Sequence, residues 1–209
     1  MRLVLASNNA KKLAELRTLF EPLALELVPQ AMLGIAEADE PHGTFVENAI
    51  AKARHAAAAS GCPAIADDSG LCVDALGGAP GVVSAHYAAL ERPIADREDQ
   101  RRSQDIANNE LLLRRLQVES NRRARFVSTL VALRSASDPE PLIAFGRWEG
   151  EILPSPRGDG GFGYDPLMFI APLNATVAQL SPDLKNRHSH RALAEAQMLA
   201  LMREVWHLG

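Results

Sequence analysis

The sequence is poor in cysteine, and its two cysteines do not form a CxxC motif. Cys62 and Cys72 are therefore predicted to be reduced, small core residues, which favours a cytosolic protein over a disulfide-stabilised secreted one. Long apolar runs are missing as well, since none approaches the roughly 20 residues of a membrane span. The apolar start at residues 3–6 is too short for a signal peptide. We therefore predict a cytoplasmic protein with no membrane partner.

The chain also lacks an excess of positive charge, because its 209 residues carry a net charge of −4. A general nucleic-acid-binding surface is not expected, although a local basic pocket is compatible with this balance. Hydrophobic residues make up 47% and charged residues 23%, which is ordinary for a globular protein. The length suits one domain, or one domain with two lobes, and can bury a substantial core.

Apolar patterning predicts strands alternating with helices in the first half of the chain and a β-hairpin in the second. The Thr44–Glu47 spacing is that of a capping box, and predicts a helix from there to Ala59. We interpret the chain as an α/β fold with a mixed β-sheet and flanking helices. The other predicted strands are 3–6, 23–28, 126–133, 142–152 and 167–170, and the other predicted helices begin near residues 10 and 189.

The stretch SNNAKK, residues 7–12, follows the first predicted strand and opens a predicted helix. Such a turn presents free backbone N–H groups and the positive end of a helix dipole, which together favour anion binding. Lys12 is placed to reach a phosphate as a point charge. The alternative is that Ser7 or Asn9 only caps the helix while Lys12 is solvated. The Walker A pattern GxxxxGK[ST] is absent.

The stretch ADDSG, residues 66–70, places two carboxylates and a glycine where the flanking residues predict a buried strand. Adjacent carboxylates repel one another unless a cation is near, and in a strand they point to opposite faces. Mg²⁺ takes oxygen ligands, often one or two carboxylates with substrate phosphates and water. Asp68 or Asp67 is therefore a candidate for a metal or catalytic role. The alternative is an Asx turn with both carboxylates solvated.

Further acidic candidates lie around the start of the second predicted helix. Glu47 already has a local task as partner of Thr44 in the capping box. Glu40 lies in a loop without such a task, and it therefore ranks above Glu47 as a metal ligand. Glu37 and Asp39 belong to the same acidic loop.

The segment GDGGFGYDP, residues 158–166, is rich in glycine. Glycines let the backbone approach a flat ligand closely, and Phe162 or Tyr164 is suited to stack on one. Asp165 is a candidate hydrogen-bond acceptor. The alternative is a plain hairpin loop with Tyr164 in the core.

The segment LKNRHSHRALA, residues 184–194, concentrates cations just before and into a predicted helix N-terminus. The helix dipole favours anions there, so this cluster predicts a bound anion such as a polyphosphate. The HxH pattern is a weak metal motif, because no cysteine or third histidine lies at a ligand spacing. The cations of the cluster are Lys185, Arg187, His188, His190 and Arg191.

Five segments in this order resemble the noncanonical purine nucleoside triphosphate pyrophosphatases, the inosine triphosphatase or Ham1-like (RdgB-like) family. The segments are ASNNAKKLAEL, GTFVENAIAKARHAA, AIADDSGLCVDALGGAPGVVSAHYA, GGFGYDPLMF and LKNRHSHRALA. The resemblance covers nearly the whole chain. It implies an elongated mixed sheet with flanking helices, and two lobes around a central cleft within one inosine triphosphatase-like domain, residues 1–209.

The resemblance also implies an activity. Members are cytoplasmic, homodimeric, Mg²⁺-dependent hydrolases that convert dITP, ITP, XTP and dXTP to the monophosphate and pyrophosphate. By resemblance, Asp68 matches the proton acceptor and a metal ligand, and Glu40 matches the second metal ligand. The triphosphate-side and neighbouring substrate contacts match Ser7, Asn8, Asn9, Ala10, Lys11, Lys12 and Ser69. The base-recognition contacts match Phe162, Gly163, Tyr164, Asp165, Lys185, His190 and Arg191.

Two other functions remain open on the sequence. One is a house-cleaning pyrophosphatase for modified pyrimidines or methylated nucleotides, as in the related Maf-like group. The other is a nucleotide-binding regulatory module without turnover. The FGYD and SHR segments favour the purine enzyme, and Asp68 together with Lys12 favours turnover. The charged stretch 88–110 looks longer than usual for the family, and its role is not assigned.

Overall fold

The structure is a computed structural model, and part of the chain lies outside its description. It describes residues 1–7, 16–17, 20–23, 25–90 and 96–208, without the side chain of Arg97. Among these residues, no helix is long and apolar enough to cross a membrane.

Within the described residues, seven strands and four α-helices are joined by loops and short 3₁₀ turns. The strands are β1 Arg2–Leu5, β2 Glu26–Pro29, β3 Ala64–Val73, β4 Arg123–Leu133, β5 Leu142–Ile152, β6 Met168–Ile170 and β7 Ala175–Thr176. The helices are α1 Phe45–Ser60, α2 Arg97–Arg115, α3 Pro182–His188 and α4 His190–Val205.

The described strands form one mixed sheet in the order β2-β1-β3-β4-β5-β6-β7. Strand β1 pairs in parallel with both β2 and β3, whereas β6 pairs antiparallel with β5 and β7. The α/β class and the mixed sheet predicted from the sequence are thus confirmed. The two lobes around a central cleft stay a prediction.

The chain divides into two compact units. Unit 1 comprises residues 1–68, 128–146 and 190–209, and unit 2 comprises residues 69–127 and 147–189. In unit 1, one apolar cluster joins β1 to the methionine face of α4, where Met198 and Met202 are fully buried. A second cluster packs the alanine face of α1 against β1 and β3. Small alanine side chains let that helix lie close to the sheet, which positions its polar residues over the end of β1.

Unit 2 has its own apolar core. Leu112 and Leu116 of α2 pack with Phe126 of β4 and with Trp148 and Ile152 of β5. Nearer the N-terminus of α2, the same side of the helix carries the polar side chains that contact the glycine-rich loop.

The carboxylates and glycine of ADDSG lie inside the strand that the flanking residues predict, because β3 runs without a break through residues 64–73. One predicted boundary is wrong. The C-terminal helical region begins earlier than predicted, since a separate helix α3 precedes α4. Ser181 caps α3 by accepting a hydrogen bond from the Leu184 N–H, and Pro182 occupies its first turn. Ser189 is the C-terminal cap of α3.

Candidate active site

The carboxylate pair lies inside strand β3. Asp67 and Asp68 are 6% and 7% exposed, so neither is a solvated turn residue. The Asx-turn alternative is therefore wrong. Two buried carboxylates in adjacent positions require compensation by charge or hydrogen bonding, since an isolated buried charge is strongly disfavoured.

Helix α1 supplies that compensation from one of its faces. Asn48, Lys52 and His55 follow a spacing of four and three residues, which places them on the same side of a helix. Asn48 accepts a hydrogen bond from the His42 N–H and donates one to the His42 carbonyl. The His55 Nε2 atom lies 3.0 Å from the Ala36 carbonyl oxygen. This face of α1 thus holds the acidic loop, residues 34–43, in place.

Lys52 lies between two carboxylates. Its Nζ atom is 3.1 Å from Glu40 Oε1 and 3.4 Å from Asp68 Oδ1. Burial alone would lower the pKa of Lys52, but the charges of Asp68, Asp67 and Glu40 outweigh it and raise that pKa. Lys52 is therefore a permanent cation at neutral pH, and it links the acidic loop to β3.

Asp68 has the electrostatics of a proton acceptor. Burial raises its pKa from 3.8 to about 6, and the nearby charge of Lys52 limits the rise. Glu40 and Asp67 add to the rise, whereas a hydrogen bond with Asn48 opposes it. A carboxylate with a pKa just below neutral is ionised at neutral pH yet basic enough to accept a proton during a reaction.

A polar cavity of about 140 Å³ lies beside this cluster within unit 1. Asp67, and not Asp68, lines it, although the family resemblance assigns the catalytic role to Asp68. We retain Asp68 as the candidate base, because it carries the raised pKa and the direct contact with Lys52. Of the two adjacent carboxylates in β3, Asp67 is the one that faces the cavity. The lining residues are Ala6, Ser7, Gln30, Glu37, Ala38, Glu40, Lys52 and Asp67.

The cavity fits a hard divalent cation. Three of its lining side chains are carboxylates and one is an ammonium group, so the wall carries excess negative charge. Among the residues that the structure describes, no three acidic, histidine or cysteine side chains form a ready-made metal cage. Mg²⁺ is commonly held by one or two carboxylates together with substrate phosphates and water. The carboxylates of the cavity form a partial ligand set of this kind.

The surroundings of Glu40 differ from those of Glu47, the lower-ranked candidate metal ligand. The Glu47 N–H donates to Thr44 Oγ1, and the Thr44 hydroxyl donates to the Glu47 carboxylate. Glu47 is therefore engaged at the helix cap, as the capping-box spacing predicted. Glu40 instead points toward Lys52 at the cavity wall, which supports its higher rank.

In unit 2, the glycine-rich loop brings together three predicted base-recognition residues. The Asp165 carboxylate accepts a hydrogen bond from the Phe162 N–H at 3.0 Å and forms an ion pair with Lys185. The Lys185 ammonium also lies 4.5 Å from the centroid of the Phe162 ring. These contacts fix the ring against a cation whose charge is already balanced.

Tyr164 occupies the core of unit 2. It is 5% exposed, and its hydroxyl donates to the Ser84 carbonyl at 2.9 Å. The core alternative for this residue is therefore what the structure shows. Any contact of Tyr164 with a ligand would have to come from its backbone.

Three of the five cations predicted to crowd a helix N-terminus do not lie at one. Lys185, Arg187 and His188 lie in the last turn of α3, where the helix dipole favours positive charge. Only His190 and Arg191 lie in the first turn of α4. The cluster therefore does not by itself indicate a polyphosphate.

The remaining predicted residues are placed as follows. Ser7 lines the cavity of unit 1, and Ser69 follows Asp68 in β3. His190 is buried in unit 1, and its carbonyl lies where a side chain at Gly146 would project. Asn8, Asn9, Ala10, Lys11 and Lys12 lie outside the described residues.

Sequence reasoning did not single out Lys52 or Asn48. Both occur in the alanine-rich helix, where polar residues usually indicate a solvated face. Their partners lie up to 16 residues away, so the pairing depends on how α1 packs on β3. The signal available was the spacing of four residues between them, which matches one helix face.

The protein combines a mixed sheet of an α/β fold with a buried carboxylate pair next to a lysine of α1. It therefore belongs to the class of α/β proteins with an acidic site suited to a cation. The chain belongs to the Ham1 family, whose model matches residues 3–201. The family resemblance inferred from the five segments is thus confirmed, which also disfavours the Maf-like alternative.

Relatives and solved structures agree with this assignment. The chain is 72% identical over 206 residues to a dITP/XTP pyrophosphatase of Methylibium petroleiphilum, covering 99% of both chains. It is 70% identical to a dITP/XTP pyrophosphatase of Leptothrix cholodnii, covering 100% of both. The structure of a HAM1 protein from Coxiella burnetii aligns with a TM-score of 0.90 at 40% identity, covering 98% of this chain and 100% of that one.

Proposed function

We propose that this chain hydrolyses dITP, ITP, XTP and dXTP to the nucleoside monophosphate and pyrophosphate, and so removes deaminated purines from the nucleotide pool. The observation that carries the proposal is the Asp68–Lys52–Glu40 cluster beside an acidic cavity. The names of the two relatives, both dITP/XTP pyrophosphatases, support the same reaction and substrates.

In this proposal, Asp68 accepts the proton of the attacking water. Water adds to the α-phosphorus, the bond between that phosphorus and the bridging oxygen breaks, and pyrophosphate leaves. A pKa near 6 suits this task at neutral pH. Lys52 keeps the Asp68 carboxylate ionised and offsets part of the negative charge of the substrate. Catalysis of this kind depends on positioning and charge neutralisation more than on covalent chemistry.

We propose Mg²⁺ as the cofactor, with Asp68 and Glu40 as its protein ligands. When bound, the ion would neutralise phosphate oxygens and favour the departure of pyrophosphate. Asp67, on the cavity wall, would orient water or phosphate there. Glu40 and Asp67 already share the cavity lining.

On the phosphate side, we propose that Ser7 and the following residues 8–12 contact the triphosphate. Ser7 lines the acidic cavity at the end of β1. Lys11 and Lys12 would supply the positive charge that a triphosphate needs. Ser69, next to Asp68 in β3, is proposed as a further substrate contact.

For the base, we propose that the loop of Phe162 to Asp165, with Lys185, reads the purine. Hypoxanthine and xanthine carry a 6-oxo acceptor where adenine has a donor, so a site that donates there penalises ATP. Lys185, His190 and Arg191 are the proposed donors. Phe162, whose ring adjoins a cation, is the proposed stacking surface.

We further propose that residues 1–209 act as one inosine triphosphatase-like domain and that the enzyme is a cytoplasmic homodimer. The family model supports the first point, since it spans residues 3–201. The two free cysteines are compatible with a reducing compartment. Sedimentation equilibrium would test the dimer directly.

A substrate panel tests the function. Pyrophosphate release from ITP, XTP, dITP, ATP and GTP is measured with Mg²⁺ and with chelator. We expect kcat/KM for ITP and XTP to exceed that for ATP by about 100-fold or more, because a buried donor left without its acceptor is costly. GTP keeps the 6-oxo group, and we expect its 2-amino group to make it a similarly poor substrate. Chelator should abolish release. Comparable values for all five nucleotides, or release of orthophosphate instead of pyrophosphate, would refute the proposal.

A further inference from the structure

Helix α2 contacts the glycine-rich loop through three residues on one face, which we call the α2 polar face: Arg101, Asp105 and Asn109. Their spacing of four residues keeps them aligned along the helix. Asp105 and Asn109 engage both backbone groups of Gly163. The Gly163 N–H donates to Asp105 Oδ2 at 2.8 Å, and the Gly163 carbonyl accepts from Asn109 Nδ2 at 2.8 Å.

Arg101 adds a contact with the neighbouring residue of the loop. Its guanidinium carbon lies 5.1 Å from the centroid of the Phe162 ring, which also faces Lys185. Lys185 is paired with Asp165, whereas Arg101 forms no salt bridge within the described part of the chain. The Phe162 ring is thus contacted by cations from two helices, α2 and α3.

Asn109 carries a cost to stability. Its Nδ2 group donates to both the Gly163 and Asp105 carbonyl oxygens, which fixes the orientation of the amide. Its Oδ1 atom is then buried without a hydrogen-bond partner among the described residues. A buried acceptor without a partner is destabilising. This cost, together with the two hydrogen bonds to Gly163, indicates that the α2 polar face is arranged for the position of the loop.

We propose that Arg101, Asp105 and Asn109 are positioning residues for purine recognition, acting through Gly163 and Phe162. This inference rests on the proposed function. Within the loop, Asp165 accepts a hydrogen bond from the Phe162 N–H, so the α2 polar face and Asp165 together set where the Phe162 ring lies. The charged segment that carries α2 thereby acquires a role in selecting the base, separate from the chemistry at Asp68.

The test measures steady-state hydrolysis of ITP by Asp105→Ala, Asp105→Asn and Arg101→Met, with wild type assayed first. Asp105→Ala should raise KM for ITP about tenfold and change kcat by less than about twofold, because one hydrogen bond to the loop is lost. Asp105→Asn keeps an acceptor and should restore most of the wild-type KM. Arg101→Met keeps the aliphatic stem and should raise KM about threefold.

Glu110→Ala is the matched control. Glu110 is exposed on the same helix, and the structure gives it no contact with the loop in the described residues. Its removal changes the charge of α2 as Asp105→Ala does, and KM should stay at the wild-type value. Inorganic tripolyphosphate, which lacks a purine, should inhibit all variants with the same Ki.

The outcomes separate the two proposals. Absence of ITP hydrolysis by the wild type would refute the proposed function. Wild-type hydrolysis with an unchanged KM in both Asp105→Ala and Arg101→Met would refute only the positioning role. A rise in the tripolyphosphate Ki parallel to KM would also overturn it. If Asp105→Ala fails to fold, Arg101→Met, at an exposed position, still decides the question.

Discussion

Asp68 and Lys52 compensate each other at a place where neither charge would be stable alone. Lys52 reaches Glu40 as well, so one ammonium group connects a loop carboxylate with a strand carboxylate. The balance leaves Asp68 with a pKa of about 6 and Lys52 with a raised pKa. The pair is thus ionised at neutral pH, and Asp68 remains weakly basic.

At this scale, the first prediction concerns the titration of Asp68 in the metal-free protein. Lys52→Met removes the charge that limits the pKa of Asp68, so that pKa should rise above its wild-type value near 6. Glu40→Gln removes a charge that raises it, so the pKa should fall. Carbon-13 NMR of the side-chain carboxyl group measures both shifts. Shifts of the same sign in the two variants would contradict this account of the cluster.

The same shift has a consequence for stability. Folding raises the pKa of Asp68, so between pH about 4 and about 6 the folded state binds more protons than the unfolded state. The contribution of Asp68 to the free energy of unfolding therefore falls as pH rises through this window. In urea unfolding of the metal-free protein, the free energy of unfolding of Asp68→Asn should increase relative to that of the wild type as the pH rises through this window. A difference independent of pH would argue against the raised pKa.

At the scale of elements, the loop between β5 and β6 is held by its own acidic residue and by α2. Gly161 and Gly163 both have positive φ angles, 77° and 61°. A Cβ at Gly161 would overlap the Asp165 carboxylate, whereas one at Gly163 would meet no atom within 4 Å among the described residues beyond its chain neighbours. Gly161 is therefore required by its φ angle and by the nearby Asp165 carboxylate, whereas Gly163 is required by its φ angle alone.

The corresponding prediction compares two alanine variants. Gly163→Ala should lower the free energy of unfolding by about 1 kcal/mol, which is the backbone cost alone. Gly161→Ala should lower it by about 3 kcal/mol, because it also displaces Asp165 from Phe162 and Lys185. Urea unfolding measures both values. Equal losses would show that the Asp165 contacts contribute little to the loop.

The elements were predictable where the local pattern is strong. Strand β5 spans the predicted residues 142–152, and α1 begins after the predicted cap Thr44. Helix α3 was missed because seven residues carry too little apolar periodicity, although Ser181 and Pro182 form a recognisable start. The Asx-turn alternative at Asp67 and Asp68 stayed open on the sequence because their burial depends on Lys52, which no local pattern reveals.

At the scale of the whole molecule, the order of the five segments indicated the family, and the alternation of strands and helices predicted the α/β class. The candidate residues divide between the two units, with Ser7, Glu40 and Asp68 in unit 1 and Phe162, Asp165 and Lys185 in unit 2. Residue types in motifs could be found from the sequence. The contacts of α1 with the acidic loop and of α2 with Gly163 could not, because they depend on tertiary packing.

The most direct measurement of the central claim is Mg²⁺-dependent release of pyrophosphate from ITP by Asp68→Asn. The account predicts a loss of at least about 1,000-fold in kcat, since both the proton acceptor and a metal ligand are removed. Circular dichroism and thermal unfolding should show an intact fold. A folded Asp68→Asn protein with near-wild-type turnover would contradict the account.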